Sequence, residues 1–133
     1  MESAKCRGSR GEEFAVQQLL ETGYEILQRN WRSGHSEIDI IAQKENTIAF
    51  IEVKLRGETA FAQPAAFVSR AQRRRIVLAA VAYLQERGIY NTGRFQPRFD
   101  IFEIVTQEET PDKVLRWEHL PGAYDTEGLD VFI

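Results

Sequence analysis

Asp39, Glu52 and Lys54 are the residues of this chain whose types and spacing could do chemistry together. They lie in two apolar runs, 37–41 and 48–54, which are separated by a short polar turn. Burying a lone carboxylate is costly unless the group is paired or binds a metal ion. Acids inside two such runs therefore need a reason.

The spacing of these residues predicts that they meet. Side chains alternate between the two faces of a strand, so Glu37, Asp39 and Ile41 are expected on one face. An antiparallel hairpin centred on Glu45 and Asn46 places Asp39 opposite Glu52, and Glu37 opposite Lys54. Opposed residues have Cβ atoms about 5 Å apart. Two carboxylates beside one ammonium group have the composition of a metal site with a cationic helper.

A second interpretation is that Asp39 and Glu52 face solvent at the polar end of an amphipathic strand. The run 48–55 is apolar on both faces, since Ile48 and Phe50 alternate with Ala49 and Ile51. A strand that is apolar on both faces is typical of the interior of a sheet. This pattern favours the interpretation as a site.

Length and composition indicate one domain that spans 1–133, with a flexible tail at 1–8 and an acidic extension at 106–133. The chain has 133 residues, of which 43% are hydrophobic and 28% are charged, as in ordinary globular proteins. The longest apolar run, 76–84, is too short to span a bilayer. The N-terminus has no apolar core of a signal peptide. A single cysteine, Cys6, makes a reducing cytoplasm the expected location.

The charge is unevenly distributed along the chain. Residues 1–102 carry 15 Lys and Arg against 12 Asp and Glu, whereas residues 103–133 carry 2 against 8. The densest basic cluster is Arg70, Arg73, Arg74 and Arg75. Such a patch can bind phosphate whatever the net charge of the protein. The alternative is a solvated helix end that is rich in arginine.

A first helix is predicted from Ser9 to about Thr22. Ser9 and Glu12 have the spacing of a capping box, and Gly23 is the expected stop. Glu12 also falls at the centre of the apolar stripe of this helix. It is therefore either a cap in an exposed first turn or an acid that points toward a site.

The remaining elements predict a mixed α/β fold in the order αβββαβ. Strand one is expected over 24–31, followed by a turn at 33–36 in which His35 is a bystander. After a looser connection over 56–68, a second helix is expected from Ser69 to Arg87, with Ser69 and Gln72 as its capping box. A further strand at 99–105, a polar turn at 108–112 and a short edge strand at 114–117 complete the order.

With these residues in view, the chain resembles the YraN-type family of bacterial proteins, which have no assigned role. Seven blocks carry the resemblance, in order and over nearly the whole chain. They are Gly11-Glu12-x-x-Ala15, Gly23-Tyr24, Arg29-Asn30-x-Arg32, Glu37-Ile38-Asp39, Phe50-Ile51-Glu52-Val53-Lys54-x-Arg56, Arg98-Phe99-Asp100 and His119-x-x-x-Ala123-Tyr124. One departure is Ala71, where the family usually has lysine.

The resemblance implies a restriction-endonuclease-like core, a mixed sheet flanked by helices, similar to that of Holliday-junction resolvases. It implies a metal-dependent endonuclease-like protein that acts on DNA, with Mg²⁺ or Mn²⁺ as cofactor. The alternative is a non-catalytic module that binds nucleic acid or protein and retains the fold. A homodimer would suit a branched substrate, because a four-way junction has two-fold symmetry.

The implied site residues are distributed over three roles. The catalytic residues are Asp39, Glu52, Lys54 and Glu37. The metal ligands are Asp39, Glu52 and Glu12. The residues that contact nucleic acid are Arg32, Arg56, Arg70, Arg73 and Arg74. Asp100 is expected instead to form a structural ion pair with Arg98.

Overall fold

A five-stranded mixed sheet with two helices forms the framework of this protein in the computed structural model. The structure describes residues 4–57, 68–107, 109–110 and 113–133, with side chains from Arg10 onward. The elements are α1 (Ala4–Glu21), β1 (Glu25–Ser33), β2 (Ser36–Lys44), β3 (Thr47–Gly57), α2 (Arg70–Glu86), β4 (Gln96–Thr106) and β5 (Val114–Tyr124).

The strands lie in the sheet in their order along the chain, β1 to β5. Strands β1, β2 and β3 form an antiparallel meander. Strand β4 then pairs with β3 in parallel, because α2 carries the chain from one end of the sheet back to the other. Strand β5 returns antiparallel to β4. The α/β class and the mixed sheet predicted from the sequence are confirmed.

Each face of the sheet has its own apolar core. On the α2 side, the stripe Ile76, Ala79, Ala80, Tyr83 and Leu84 packs on Ile41, Ile48, Phe50 and Phe99. On the α1 side, Ala15, Val16 and Leu19 pack on Ile40, Ala49, Ile51 and Phe102. Strand β3 is therefore buried on both faces along 48–51, as its sequence predicts. Burial of side chains of this size typically contributes about 1.5–3 kcal/mol each.

The second helix begins where its sequence predicts, because Ser69 caps it. The Ser69 hydroxyl accepts a hydrogen bond from the Gln72 amide at 3.2 Å, which satisfies one of the free N–H groups of the first turn. The reciprocal half of the predicted capping box is wrong. The side chain of Gln72 donates to Glu52 of β3 instead.

Two other predictions of element boundaries are corrected by the structure. Helix α1 begins at Ala4 rather than Ser9, so Ser9 lies inside the helix and the first capping box does not exist. The described part of the predicted tail, 4–8, is helical. The edge strand β5 covers eleven residues instead of four. Residues 1–3 of the tail, 58–67 of the predicted connection, and 108 and 111–112 of the polar turn lie outside the described residues.

Asp100 of β4 is fully buried and holds β4, β5 and the chain before β1 together. Arg98 binds its carboxylate through Nε and Nη2 at 2.9 and 2.8 Å. His119 Nε2 lies 2.8 Å from Oδ2, and the Gly122 amide donates to Oδ1 at 2.9 Å. Arg98 also donates to the Tyr24 hydroxyl. The structural ion pair predicted for Asp100 and Arg98 is present, within a larger network.

This network determines the protonation of Asp100. Burial alone would raise the pKa of this carboxyl, but the hydrogen bonds from His119, Arg98 and the Gly122 amide outweigh burial and hold the pKa below its ordinary value. The carboxylate therefore stays charged and fully paired, which is the condition under which a buried ion pair stabilises a fold.

Among the described residues, neither helix is long and apolar enough to cross a membrane.

We expect Asp100→Asn to lower the free energy of unfolding by about 3–5 kcal/mol, because it leaves the Arg98 guanidinium facing a neutral partner. The pKa of Asp100 is depressed, so the stabilisation is present above the ordinary carboxyl pKa and is lost as the pH falls below it. The gap between the variant and the wild type should therefore narrow in acid. Urea unfolding at several pH values measures this gap.

The exposed acid Glu25 provides the control. Glu25→Gln should change stability by no more than about 0.5 kcal/mol, as substitutions at exposed surface positions usually do. A loss for Asp100→Asn as small as that of Glu25→Gln would contradict the structural role given to the network.

Candidate active site

A pocket of about 160 Å³ lies where β2 and β3 meet the first turns of α2. Its apolar floor is formed by Ile38, Ile51 and Ile76. Its polar lining residues are His35, Ser36, Glu37, Asp39, Glu52, Gln72 and Arg75. The pocket therefore contains three of the acids predicted for the site, Asp39, Glu52 and Glu37.

The register of the β2–β3 hairpin brings these acids together. The paired residues run from Lys44 and Thr47 at the turn to Ile40 and Ile51, which is the predicted register. One step further along lie Asp39 and Glu52. At this point the Val53 amide donates to Asp39 Oδ2 at 2.8 Å, so a carboxylate accepts a hydrogen bond from the backbone of the neighbouring strand.

The predicted alternation of faces is wrong at Asp39, because β2 turns over at this residue. Ile40 belongs to the core under α1, whereas Ile38 belongs to the core under α2, although residues two apart on a regular strand share a face. The neighbouring strand changes face at the matching place. Arg29 pairs with Glu13 of α1, and Trp31 packs against Tyr83 of α2.

The residue between Arg29 and Trp31 shows how the backbone makes this change. Asn30 has φ of 51°, in the left-handed region that asparagine tolerates better than most residues. Regular pairing is preserved on both sides, at Arg29 with Ile40 and at Trp31 with Ile38. The change of face is thus confined to Asn30 on β1 and Asp39 on β2.

The environment of Asp39 disfavours its charged form. Burial raises the pKa of this carboxyl to about 7, and the carboxylates of Glu12, Glu52 and Glu37 act in the same direction. The hydrogen bond from the Val53 amide offsets only part of this effect. A nearby cation would relieve the repulsion among these acids and favour the carboxylate.

Glu52 is held by α2 and has one oxygen left over. Gln72 Nε2 donates to Oε1 at 2.8 Å, whereas Oε2 is buried and has no hydrogen-bond partner among the described residues. Burial raises the pKa of Glu52, while Lys54 and the hydrogen bond from Gln72 oppose that rise. A buried carboxylate oxygen without a partner is costly, and a bound cation would compensate it.

Lys54 and Glu37 are the other two residues that the sequence analysis predicts to be catalytic. Lys54 is half-buried on β3, close enough to lower the pKa of Glu52. Glu37 forms an ion pair with Arg32 of β1 at 3.2 Å. The cross-strand pairing predicted for Glu37 and Lys54 falls beyond the last paired residues of the hairpin.

Glu12 is half-buried in the interior of α1. Since the helix begins at Ala4, its interpretation as a first-turn cap is wrong. Its carboxylate is near enough to Asp39 to raise the pKa of that group. Glu12 therefore approaches the acid pair from the α1 side, opposite to Gln72.

The arginines predicted to contact nucleic acid fall into two groups. Arg70 and Arg74 are exposed on the first turns of α2 and Arg73 is half-buried there. Arg70 also donates to the Gly128 carbonyl at 2.6 Å. Arg32 pairs with Glu37, and Arg56 lies 3.7 Å from Glu103. Of the four arginines of α2, it is Arg75 that lines the pocket.

Sequence reasoning missed Gln72 and Arg75 as residues of the site. A signal was present in the spacing. Arg75 and Ile76 follow Gln72 by three and four residues, so both lie next to it on one face of the helix. Ile76, on this face, is buried in the core under α2. Gln72, however, also has the spacing of a capping box with Ser69, and Arg75 also belongs to the basic cluster. Each residue therefore has another interpretation that does not involve the site.

The donor set fits a hard divalent cation that brings most of its own ligands. Within 4–57, 68–107, 109–110 and 113–133, no three His, Cys, Asp or Glu side chains are placed to hold a metal ion by themselves. Mg²⁺ needs only one or two carboxylates, and it completes its shell with water and substrate oxygens. Asp39 and Glu52 could supply these, since Glu52 Oε2 has no other partner.

Comparison with known proteins identifies the family of this chain. Residues 11–104 match the sequence model of the uncharacterised protein family UPF0102. A UPF0102 protein of Chlorobium phaeobacteroides strain BS1 is 38% identical over 90% of this chain and 94% of its own length. One from Bacteroides thetaiotaomicron is 40% identical over 88% and 90%, and one from Persephonella marina is 42% identical over 74% and 83%.

We expect Asp39→Asn to remove a pH-dependent instability from the metal-free protein. The folded pKa of Asp39 is raised from 3.8 to about 7, so between these values the folded state holds a proton that the unfolded state releases. Stability must then fall as the pH rises through this window. By pH 8 the cost reaches an upper bound of roughly 4 kcal/mol.

Unfolding by urea with a chelator present, at pH 4.5 and pH 8, measures the effect. Asp39→Asn should match the wild type at the lower pH and exceed it in stability at the higher pH. Glu45→Gln, at the exposed hairpin turn, should track the wild type at both. Parallel pH profiles for Asp39→Asn and the wild type would show that Asp39 ionises normally.

Proposed function

The chain belongs to the uncharacterised protein family UPF0102, and we propose that it is a metal-dependent nuclease that hydrolyses phosphodiester bonds in DNA. The observation that carries the proposal is the convergence of Asp39 and Glu52 on one pocket, next to Lys54. Both acids are partly withdrawn from water, and one oxygen of Glu52 has no hydrogen-bond partner in the part of the chain that the structure describes. A site built only for stability would satisfy that oxygen.

Asp39 and Glu52 would hold Mg²⁺ or Mn²⁺, with Glu12 on the α1 side of Asp39 as a source of negative potential. The bound ion would polarise the scissile phosphate and lower the pKa of a coordinated water. The chain contributes the placement of its two carboxylates. The Val53 amide fixes Asp39, and the Gln72 side chain fixes Glu52.

Lys54 provides positive charge at the same face. An ammonium group in this position would orient the attacking water or stabilise the charge that develops on the phosphate oxygens. Glu37 would act in the same pocket as a further acid, and its ion pair with Arg32 holds its side chain in place.

The first turns of α2 would bind the DNA backbone. Arg70, Arg74 and Arg75 are exposed on these turns, and Arg75 lies at the pocket itself. Arginine forms bidentate contacts with phosphate, and these contacts position DNA without reading its sequence. Arg32, Arg56 and Arg73 are assigned the same role, with Arg32 and Arg56 exchanging their present ion pairs for phosphate.

A second candidate function is that of a non-catalytic module that binds nucleic acid or protein. The ion pairs of Arg32 and Arg56 favour it, as does the absence of a three-residue metal cluster from the described residues. The raised pKa of Asp39 speaks against it, since a retired site has no reason to keep a destabilising acid. Under either function, the protein would act on its partner in the cytoplasm, where a single cysteine stays reduced. A four-way-junction substrate would call for a homodimer.

We expect the protein to cut labelled DNA in the presence of Mg²⁺ or Mn²⁺, and Asp39→Asn to lower the rate by about a hundredfold or more. Linear duplex, single-stranded and four-way-junction DNA, run side by side in a gel assay, would identify the preferred substrate. Asp125→Asn, at an exposed acid of the C-terminal segment, is the matched control.

The outcomes of this assay separate the candidates. Cutting that survives in Asp39→Asn would indicate a contaminant or a misplaced site. DNA binding without cutting by any variant would transfer the assignment to the binding module.

We expect Gln72→Leu to weaken Mn²⁺ binding by about 10- to 100-fold, because a second-sphere partner of a ligating carboxylate sets its orientation. Titration calorimetry measures the affinity directly. Gln85→Leu makes the same change at an exposed position of the same helix, so it should leave the affinity unaltered. Equal affinities for the two variants would remove Gln72 from the site.

A further inference from the structure

The outer edge of the sheet at β5 is open in the part of the chain that the structure describes. Strand β5 pairs with β4 on one side and is the last strand of the sheet. Leu115 and Trp117 are each 40% exposed there. Trp117 is held in place by stacking on Phe102, with ring centroids 5.3 Å apart and planes 6° apart. An exposed strand edge that carries large apolar side chains is a template for a further strand.

The charges of this edge are incompletely balanced. Glu118 lies directly opposite Glu103 of β4, and like charges at opposed positions destabilise a sheet. Arg56 approaches Glu103 at 3.7 Å. Arg116 and Glu118 are exposed, and neither side chain forms an ion pair with another described residue. Glu118 therefore has an acid on its inner side and an open position on its outer side.

We propose that two copies of this chain pair antiparallel through β5, about a two-fold axis at Trp117. A two-fold axis normal to the sheet keeps each face on the same side in both copies. Each residue can then face only a residue of the same parity. Centred on Trp117, this register sets Arg116 of each copy opposite Glu118 of the other. The edge thus carries a sequence complementary to itself, as an isologous interface requires.

The neighbouring registers lack this complementarity. An axis at Arg116 would oppose two arginines, and an axis at Glu118 would oppose two glutamates, which costs free energy in each case. Only the axis at Trp117 places a cation on the outer side of Glu118 and brings the two indole rings together across the interface. Cross-strand pairs of opposite charge and of aromatic rings are the interactions that stabilise adjacent strands.

The product would be a ten-stranded sheet that runs through both copies. The pocket between β2, β3 and α2 is separated from β5 by strand β4. It would therefore stay accessible in the pair. The inference concerns assembly, and it holds whether or not the pocket is catalytic.

Charge reversal and rescue test the pairing. In Arg116→Glu, two acids face each other at both symmetric positions, so the dissociation constant from sedimentation equilibrium should rise by about tenfold or more. Glu118→Arg should weaken the dimer similarly. The double variant Arg116→Glu, Glu118→Arg restores opposite charges, and its dissociation constant should return to within about threefold of the wild type.

Arg94→Glu makes the same charge change at an exposed residue away from β5 and should leave the dimer intact. Circular dichroism confirms that each variant is folded. A wild-type protein that remains monomeric at every concentration would overturn the proposal, and the edge charges would then serve to prevent pairing. A dimer that is indifferent to both Arg116→Glu and Glu118→Arg would place the interface elsewhere.

Discussion

The change of face at Asp39 is the constraint on which the site depends. A strand that kept its alternation would direct Asp39 and Ile41 to the same side and leave Ile38 with Ile40 under α1. Because β2 turns over, Ile38 joins the core under α2, and the Asp39 carboxylate reaches the backbone of β3. There it accepts the Val53 amide, a donor that would otherwise need another partner. The regular pairing of β2 with β3 thus ends at the same point where the carboxylate of Asp39 is positioned.

Asp100, Asp39 and Glu52 of the sheet show how carboxyl groups can serve opposite purposes in one fold. Asp100 receives hydrogen bonds from Arg98, His119 and the Gly122 amide, and its pKa falls. Asp39 receives one hydrogen bond and is surrounded by other acids, so its pKa rises to about 7. Glu52 is intermediate, with one oxygen bound and one left over. Strong pKa shifts without compensating partners are typical of functional sites, and full compensation is typical of structural ones.

Much of the fold could be predicted because local signals agreed with one another. The polar turn at Glu45 and Asn46, between two apolar runs, determined the hairpin register, and Ser69 located the start of α2. The failures arose where tertiary structure overrides a local pattern. Ser9 and Glu12 have the spacing of a capping box, yet the helix continues through them. Gln72 serves Glu52 rather than its own helix end, and no rule of spacing along the chain contains that information.

Two further differences between the predicted and the observed structure have a similar origin. The turnover at Asp39 depends on Asn30 of the neighbouring strand adopting positive φ, so two segments must be considered together. Strand β5 was underestimated because charged residues alternate with Leu115 and Trp117, and because Pro121 and Gly122 interrupt its end. The distribution of the acids could be read from sequence. The pairing of Asp100 with Arg98 could also be predicted, because the two residues lie two apart on one strand. The hydrogen bonds with His119 and the Gly122 amide could not, because those residues lie far from Asp100 along the chain.

The position of the buried Asp100 network has a consequence for how the domain should be delimited. The family match ends at residue 104, inside β4, and so leaves out the whole of β5. Yet the carboxylate of Asp100 is hydrogen-bonded to His119 and to the Gly122 amide, both of β5. Phe102 stacks on Trp117 of β5, and Leu129 is fully buried in the core under α2. A recombinant fragment trimmed to the matched range would expose its own interior. The minimal folding unit is therefore larger than the region by which the family is recognised.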